Sequence, residues 1–85
     1  MPHSASRPRV EENIARVLAP YIGENMARAS VRGHCEKLGF GAVLAEAEIG
    51  KLIDALSAGL SVFVGREKAT QIRVEVQRAL AKVAR

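Results

Sequence analysis

The sequence predicts an all-α fold, and three observations lead to this class. Apolar residues recur at helical spacing in four segments, so each segment has one apolar face. Glycine or proline stands at or near the end of three of these segments, where either residue can terminate a helix. Only 4% of the residues are aromatic, so the core must come from aliphatic side chains, which suits packed helices better than a sheet. We therefore expect a small orthogonal or up-down bundle of four main helices.

A chain of 85 residues predicts one domain. Residues 1–8 lack apolar periodicity and are predicted to be a disordered tail, which leaves residues 9–85 as the helical domain. The first helix is expected to start near Pro8 or the residue after it, since proline is favourable at the first helical position. It should end or kink at residues 18–19, because Pro20 disfavours helical geometry in the residue before it. Its apolar face consists of Val10, Ile14, Val17 and Leu18.

The second and third helices are predicted over residues 24–38 and 45–58. Gly33 lies inside the second helix, where a glycine often marks the close approach of another helix. Gly39 and Gly59 are expected to follow the last residues of the two helices. The apolar faces are Ala27, Val31, Cys35 and Leu38 in the second helix and Ile49, Leu52, Ile53 and Leu56 in the third.

Residues 60–65 fit either a strand or a helix. The run Val62, Phe63 and Val64 is typical of a strand, but no other run alternates, and an unpaired strand edge is unfavourable. We prefer a short extra helical turn near Phe63, whose side chains fill the core. The last helix is predicted over residues 66–83.

No combination of residues predicts a catalytic, cofactor or metal site. Cys35 and His34 are neighbours on a helix, so their side chains point about 100° apart and do not form a nucleophile–base pair. Cys35 falls on the apolar face and is predicted to pack in the core. Glu46 and Glu48 also point in different directions on their helix. One thiol and two separated histidines are too few ligands for a metal. We therefore expect no enzymatic activity, no cofactor and no metal.

The net charge of +4 comes from the ends of the chain. Without Arg7, Arg9, Lys82 and Arg85, nine basic residues stand against nine acidic ones. A small nucleic-acid-binding protein is therefore the alternative interpretation and not the leading one. The sequence has no apolar run of transmembrane length and no secretory signal pattern, so we expect a cytoplasmic protein without membrane association.

Two stretches of the chain resemble a known family. The first, residues 17–28, reads Val-Leu-Ala-Pro-Tyr-Ile-Gly-Glu-Asn-Met-Ala-Arg; the second, residues 49–56, reads Ile-Gly-Lys-Leu-Ile-Asp-Ala-Leu and leads to Phe-Val-Gly at 63–65. Together they resemble an uncharacterised small helical domain of bacterial signalling proteins, which often follows a Ser/Thr kinase, nucleotide-cyclase or roadblock-type module. Glu24 and Asn25 depart from the family pattern, which favours proline in this region. The resemblance implies an accessory or assembly role in bacterial signalling and transfers no catalytic residue.

Several side chains are predicted to form an interaction surface. Val43, Val62 and Val74 fall outside the four apolar faces, and exposed apolar surface of this kind marks interfaces. Arg28 and Arg32 are expected on the outer face of the first helical pair. The sequence therefore predicts a non-catalytic helical protein-interaction or self-association module. Its expected partner is another protein or a second copy of the chain in a homodimer.

Overall fold

The computed structural model describes the backbone of residues 4–83 and the side chains of residues 4–81. Within this range the chain forms four helices and two short strands, so the predicted helical class is confirmed. The strands are β1 (Ser4–Ser6) and β2 (Val43–Ala45), and the helices are α1 (Arg7–Ile22), α2 (Glu24–Lys37), α3 (Glu46–Val64) and α4 (Arg66–Val83).

The N-terminal part of the described chain is a strand and the start of a helix. β1 pairs with β2 in an antiparallel register. The backbone amide of Arg7 then donates to the carbonyl of Ala42 at 2.8 Å, and α1 begins at Arg7. Residues 4–8, which were predicted to lie in the tail, form this strand and the first residues of α1, whereas residues 1–3 lie outside the described residues. A three-residue strand has too few positions to produce a period in the sequence, and its pairing partner is remote in the chain.

Helix α1 continues through Pro20 to Ile22, so the predicted end at residues 18–19 is wrong. Pro20 lies two residues before the end of α1 with its side chain exposed, so the lost amide donor and the crowding of the preceding turn affect only the last part of the helix. The helical hydrogen-bond pattern resumes after Pro20, and at the end of α1 the amide of Gly23 donates to the carbonyl of Ala19 at 2.9 Å. Gly23 has φ +89° and is the one-residue connection to α2.

Helix α2 matches its predicted range to within one residue. Glu24 in its first turn and Lys37 in its last turn both complement the helix dipole. Gly39 follows with φ +73°, as expected of a residue that ends a helix. The close helix approach expected at Gly33 is wrong, because a Cβ placed there would meet no atom within 4 Å.

Helix α3 runs through Gly59 to Val64 and so includes most of the ambiguous segment. The predicted end at Gly59 and the separate turn near Phe63 are therefore wrong. The reason is energetic: a glycine within a helix costs about 1 kcal/mol, whereas burying a side chain such as Leu60 stabilises by roughly 1.5–3 kcal/mol. Gly65, also at φ +89°, is the one-residue connection to α4, which covers its predicted range.

The core lies between the four helices. Helix α1 packs against α2 and α4, and α3 packs against α4 and, less extensively, α2. Leu44 of β2 is fully buried and belongs to the same core. The fully buried side chains of the helices include Ile14, Leu18, Val31, Cys35, Ile49, Leu52, Ile72 and Leu80.

Candidate functional site

The C-terminal half of α3 carries an uncharged, exposed apolar surface. No residue from 55 to 65 is charged, although several of them face outward. The side chain of Val62 is 87% exposed and that of Phe63 is 74% exposed. These are the largest exposed fractions among the large apolar side chains of the described residues.

Phe63 does not fill the core, so this part of the prediction is wrong. Leu60 is buried, and Val64, four residues later, packs against the same core cluster. Phe63 precedes Val64 by one residue and is therefore rotated by about 100° around the helix axis. The helical phase thus places the larger aromatic ring outside and the smaller valine inside.

Phe63 borders an apolar cleft of about 150 Å³. The cleft lies between the C-terminal end of α1, one face of α2 and the C-terminal half of α3. Leu18, Leu56 and Leu60 are buried beneath it. Met26, which is 50% exposed, lies on the α2 side of the rim. The other lining residues are Ile22, Ser30, His34 and Gly59.

Two half-buried polar residues, Ser30 and His34, lie in the cleft wall. The Nδ1 atom of His34 is 2.7 Å from the backbone carbonyl oxygen of Ser30. Because a carbonyl oxygen only accepts, Nδ1 is the donor in this contact and carries a hydrogen. A Cβ placed on Gly59 would lie 3.9 Å from Nε2, so His34 sits opposite Gly59 across the wall of the cleft.

Cys35 takes no part in this site. Its side chain is fully buried in the core, as the sequence predicted from its position on the apolar face. Burial raises the pKa of the thiol to about 11, so the thiolate form is scarce at neutral pH. The neighbouring His34 faces the cleft, and its Nδ1 is engaged by a backbone carbonyl and not by the thiol.

The three valines of the predicted interaction surface do not lie together. Val43 in β2 and Val62 near the end of α3 are separated by almost the whole helix, which is roughly 28 Å long at 1.5 Å per residue. Val74 lies on α4 beside Arg73, whose guanidinium contacts the carboxylate of Asp54 at 2.5 Å. All three valines are exposed, but Val62 alone adjoins the cleft through its neighbour Phe63.

The two predicted arginines lie on a different side of α2. Arg28 and Arg32 border a shallow depression toward α1 together with two acidic residues, Glu11 and Glu12. Arg28 is also paired with Glu24 at 3.2 Å. Acidic residues therefore alternate with the arginines on this surface, and the pattern differs from the continuous basic stripe of a nucleic-acid interface.

Sequence reasoning missed the cleft and its rim residues Met26 and Phe63. One signal was available, the run of eleven uncharged residues from 55 to 65 between Asp54 and Arg66. The opposite wall comes from α1 and α2, and no periodicity within one segment reveals that these residues meet α3.

No model of a known protein family matches the chain, and no curated sequence or solved structure matches it either. None of the helices described between residues 4 and 83 is long and apolar enough to cross a membrane. In the same part of the chain, no group of three or more His, Cys, Asp or Glu side chains is placed to hold a metal ion.

Proposed function

We propose that the chain is a non-catalytic protein-interaction module that binds its partner through the apolar cleft between α2 and α3. The observation that carries the proposal is the exposure of Phe63 at the rim of a cleft whose floor is formed by buried leucines. An aromatic side chain of this exposure beside an apolar depression has the composition of a binding hot spot.

The uncharged surface around the cleft supports this function. Exposed helical positions of a monomer are normally polar or charged, because water solvates them well. From residue 55 to 65, α3 instead presents Ala58, Gly59, Val62 and Phe63 to the outside. Contiguous exposed apolar surface marks interaction sites in soluble domains. A second protein surface would remove these side chains from water.

The arrangement of the helices gives the cleft a defined shape. We infer that the four helices form a closed bundle, since α1 contacts α2 and α4, and α3 contacts the same two helices. In a closed bundle, each helix that lines the cleft also packs against another helix on the side away from the cleft. The cleft is then preformed and binds without a large change in the fold.

An accessory role in bacterial signalling is the further part of the proposal, and it rests on the resemblance of residues 17–28 and 49–56 alone. In that context the cleft would attach the module to a signalling component in the cytoplasm. The alternative, a nucleic-acid-binding protein, rests on the net charge of +4. The pairing of Arg16 with Glu12 and of Arg28 with Glu24 speaks against it.

Capture from a native lysate tests the proposed function when it is performed with matched variants. The wild-type chain and the Val74→Ser control should retain the same discrete protein after nuclease treatment. Phe63→Ser should retain at least about ten-fold less of it, because the loss of a hot spot costs about 2 kcal/mol or more of binding and each 1.4 kcal/mol is about ten-fold in affinity. Equal capture by wild type and Phe63→Ser would overturn the proposal. Recovery of nucleic acid that is released steeply by salt would favour the alternative.

A further inference from the structure

We infer that the cleft is occupied by a second copy of this chain, in a two-fold symmetric dimer in which Phe63 of each copy inserts into the cleft of the other. This inference rests on the proposed function and deepens it by identifying the partner. The second copy contributes the aromatic ring that the cleft is shaped to receive.

The size of the cleft matches one aromatic ring. Its volume is about 150 Å³, and its floor and walls are mainly Leu, Ile and Met side chains. An apolar cavity of roughly 150 Å³ lined by such residues is large enough to hold benzene. The ring of Phe63 is 74% exposed in the single chain, so most of it is available to enter a second cleft.

The surface is complementary to itself. A two-fold interface is formed by the same patch on both copies, so the patch must contain both the projecting group and the site that receives it. Here the projecting ring of Phe63 and the receiving cleft lie side by side. Ala58 and Gly59, which are exposed on the same half of α3, have small side chains or none and allow two α3 helices to approach closely.

Charge also favours a second copy at this surface. Two copies of a chain with net charge +4 repel each other, and the repulsion is least where the facing surfaces carry no charge. The uncharged run from residue 55 to 65 is such a surface, flanked by Asp54 and Arg66. Added salt should therefore leave the association unchanged or strengthen it, which is opposite in sign to nucleic-acid binding.

The available area sets the expected strength. A standard interface buries about 800 Å² on each partner and uses roughly 20–30 residues a side. The whole chain exposes 5304 Å², and the cleft lining together with the uncharged run from residue 55 to 65 holds fewer residues than such an interface. The dimer therefore belongs to the small, transient class, and we expect a dissociation constant in the micromolar range or weaker.

Sedimentation velocity from about 5 μM to 1 mM protein tests the inference. The wild type should shift from monomer to dimer across this range, as should the controls Val43→Ser and Val74→Ser, which alter exposed valines away from the cleft. Phe63→Ser removes the inserted ring, and Gly59→Leu fills the cleft; each should weaken association at least ten-fold. Circular dichroism checks that both variants remain folded.

A mixture of the two variants makes the test specific to ring insertion. Phe63→Ser retains an open cleft and Gly59→Leu retains the ring, so their heterodimer regains one of the two insertions. The mixture should associate more strongly than either variant alone. A wild type that stays monomeric to 1 mM, or a dimer that survives Phe63→Ser, would overturn the inference. If the dimer is absent but capture of a different protein from the lysate still depends on Phe63, the proposed function stands and only the dimer is wrong. If that capture is lost as well, both the dimer and the proposed function are wrong.

Discussion

The hydroxyl of Tyr21 donates a hydrogen bond of 2.9 Å to the carboxylate of Glu75 and joins the end of α1 to the middle of α4. The two residues are 54 positions apart in the sequence, so this bond forms only when the helices are packed. The hydrogen bond to Glu75, followed by partial burial, raises the pKa of Tyr21 above its ordinary value of 10.0.

Tyr21 is the only tyrosine and the chain has no tryptophan, so its ionisation can be followed directly by ultraviolet absorbance. We expect a titration midpoint above 10, because the phenolate can no longer donate and is repelled by the carboxylate of Glu75. Since the folded-state pKa is raised, the stability that the bond contributes is complete below pH 10 and is lost as the pH rises through the folded-state value. Glu75→Gln should lower the midpoint, and Glu67→Gln, elsewhere on α4, should leave it in place. A wild-type midpoint at or below 10 would contradict the prediction.

The thiol of Cys35 should react slowly in the folded protein. Burial is the main cause that raises its pKa from 9.0 to about 11, so at pH 8 the thiolate fraction falls about 100-fold. The reaction with Ellman's reagent at pH 8 should therefore be at least about 100-fold slower in native buffer than in denaturant, with steric protection slowing it further. The sign of the pH effect follows from the raised pKa: the folded state loses stability as the pH rises from 9 through 11. A native rate equal to that of an unfolded thiol would show that Cys35 is not buried.

The sequence predicted the helices better than their ends. The burial of apolar residues at helical spacing stabilises α3. Leu52, Leu56 and Leu60 are all buried in the core, as their helical spacing predicted. Gly59 predicted the end of α3, because glycine is common at the C-terminal ends of helices. The helix continues because burial of the residues on either side outweighs the low helix propensity of glycine. Pro20 shows the same limit at α1, since the loss of one amide donor near the last turn does not outweigh the packing of Leu18.

The strand pairing and the cleft could not be predicted from the sequence, because both depend on the folded arrangement of the chain. β1 and β2 are each three residues long and pair across almost forty residues of sequence, so no local pattern indicates their pairing. The uncharged run from 55 to 65 was visible in the sequence and indicated one wall of the cleft. The position of His34 opposite Gly59 depends on how α2 lies beside α3, which no single segment encodes.

Arg7 connects the N-terminal strand to the loop before β2, and its loss should loosen both. Its Nε donates to Glu11 at 2.8 Å, and its Nη1 donates to the carbonyl of Phe40 at 2.9 Å. Arg7→Lys supplies one compact ammonium group, which does not reproduce this fork of donors. We expect faster amide hydrogen exchange in β1 and β2 for this variant, with exchange in α3 unchanged. Arg9→Lys is the matched control, and equal exchange in the two variants would rule out the connecting role.

Two glycine substitutions should change the stability in opposite directions. Gly33 lies within α2, is exposed, and has open space where a Cβ would lie, so Gly33→Ala should stabilise by about 0.5–1 kcal/mol. Gly65 has φ +89° and ψ 159°, a region that other residues rarely adopt, so Gly65→Ala should destabilise by about 1–3 kcal/mol. Urea unfolding followed by circular dichroism at 222 nm measures both changes.

The Gly65 result also bears on the geometry of the cleft. Gly65 alone connects α3 to α4, so its backbone angles set the orientation of α3 relative to α4, and Phe63 lies in the last turn of α3 beside this connection. If the angles are required, Gly65→Ala should weaken the concentration-dependent association as well as the stability, whereas Gly33→Ala should raise stability without weakening association. A Gly65→Ala variant with an unchanged urea midpoint would show that the connection does not require these backbone angles. The shape of the cleft would then depend on the packing of the buried leucines of α1 and α3 and not on this turn.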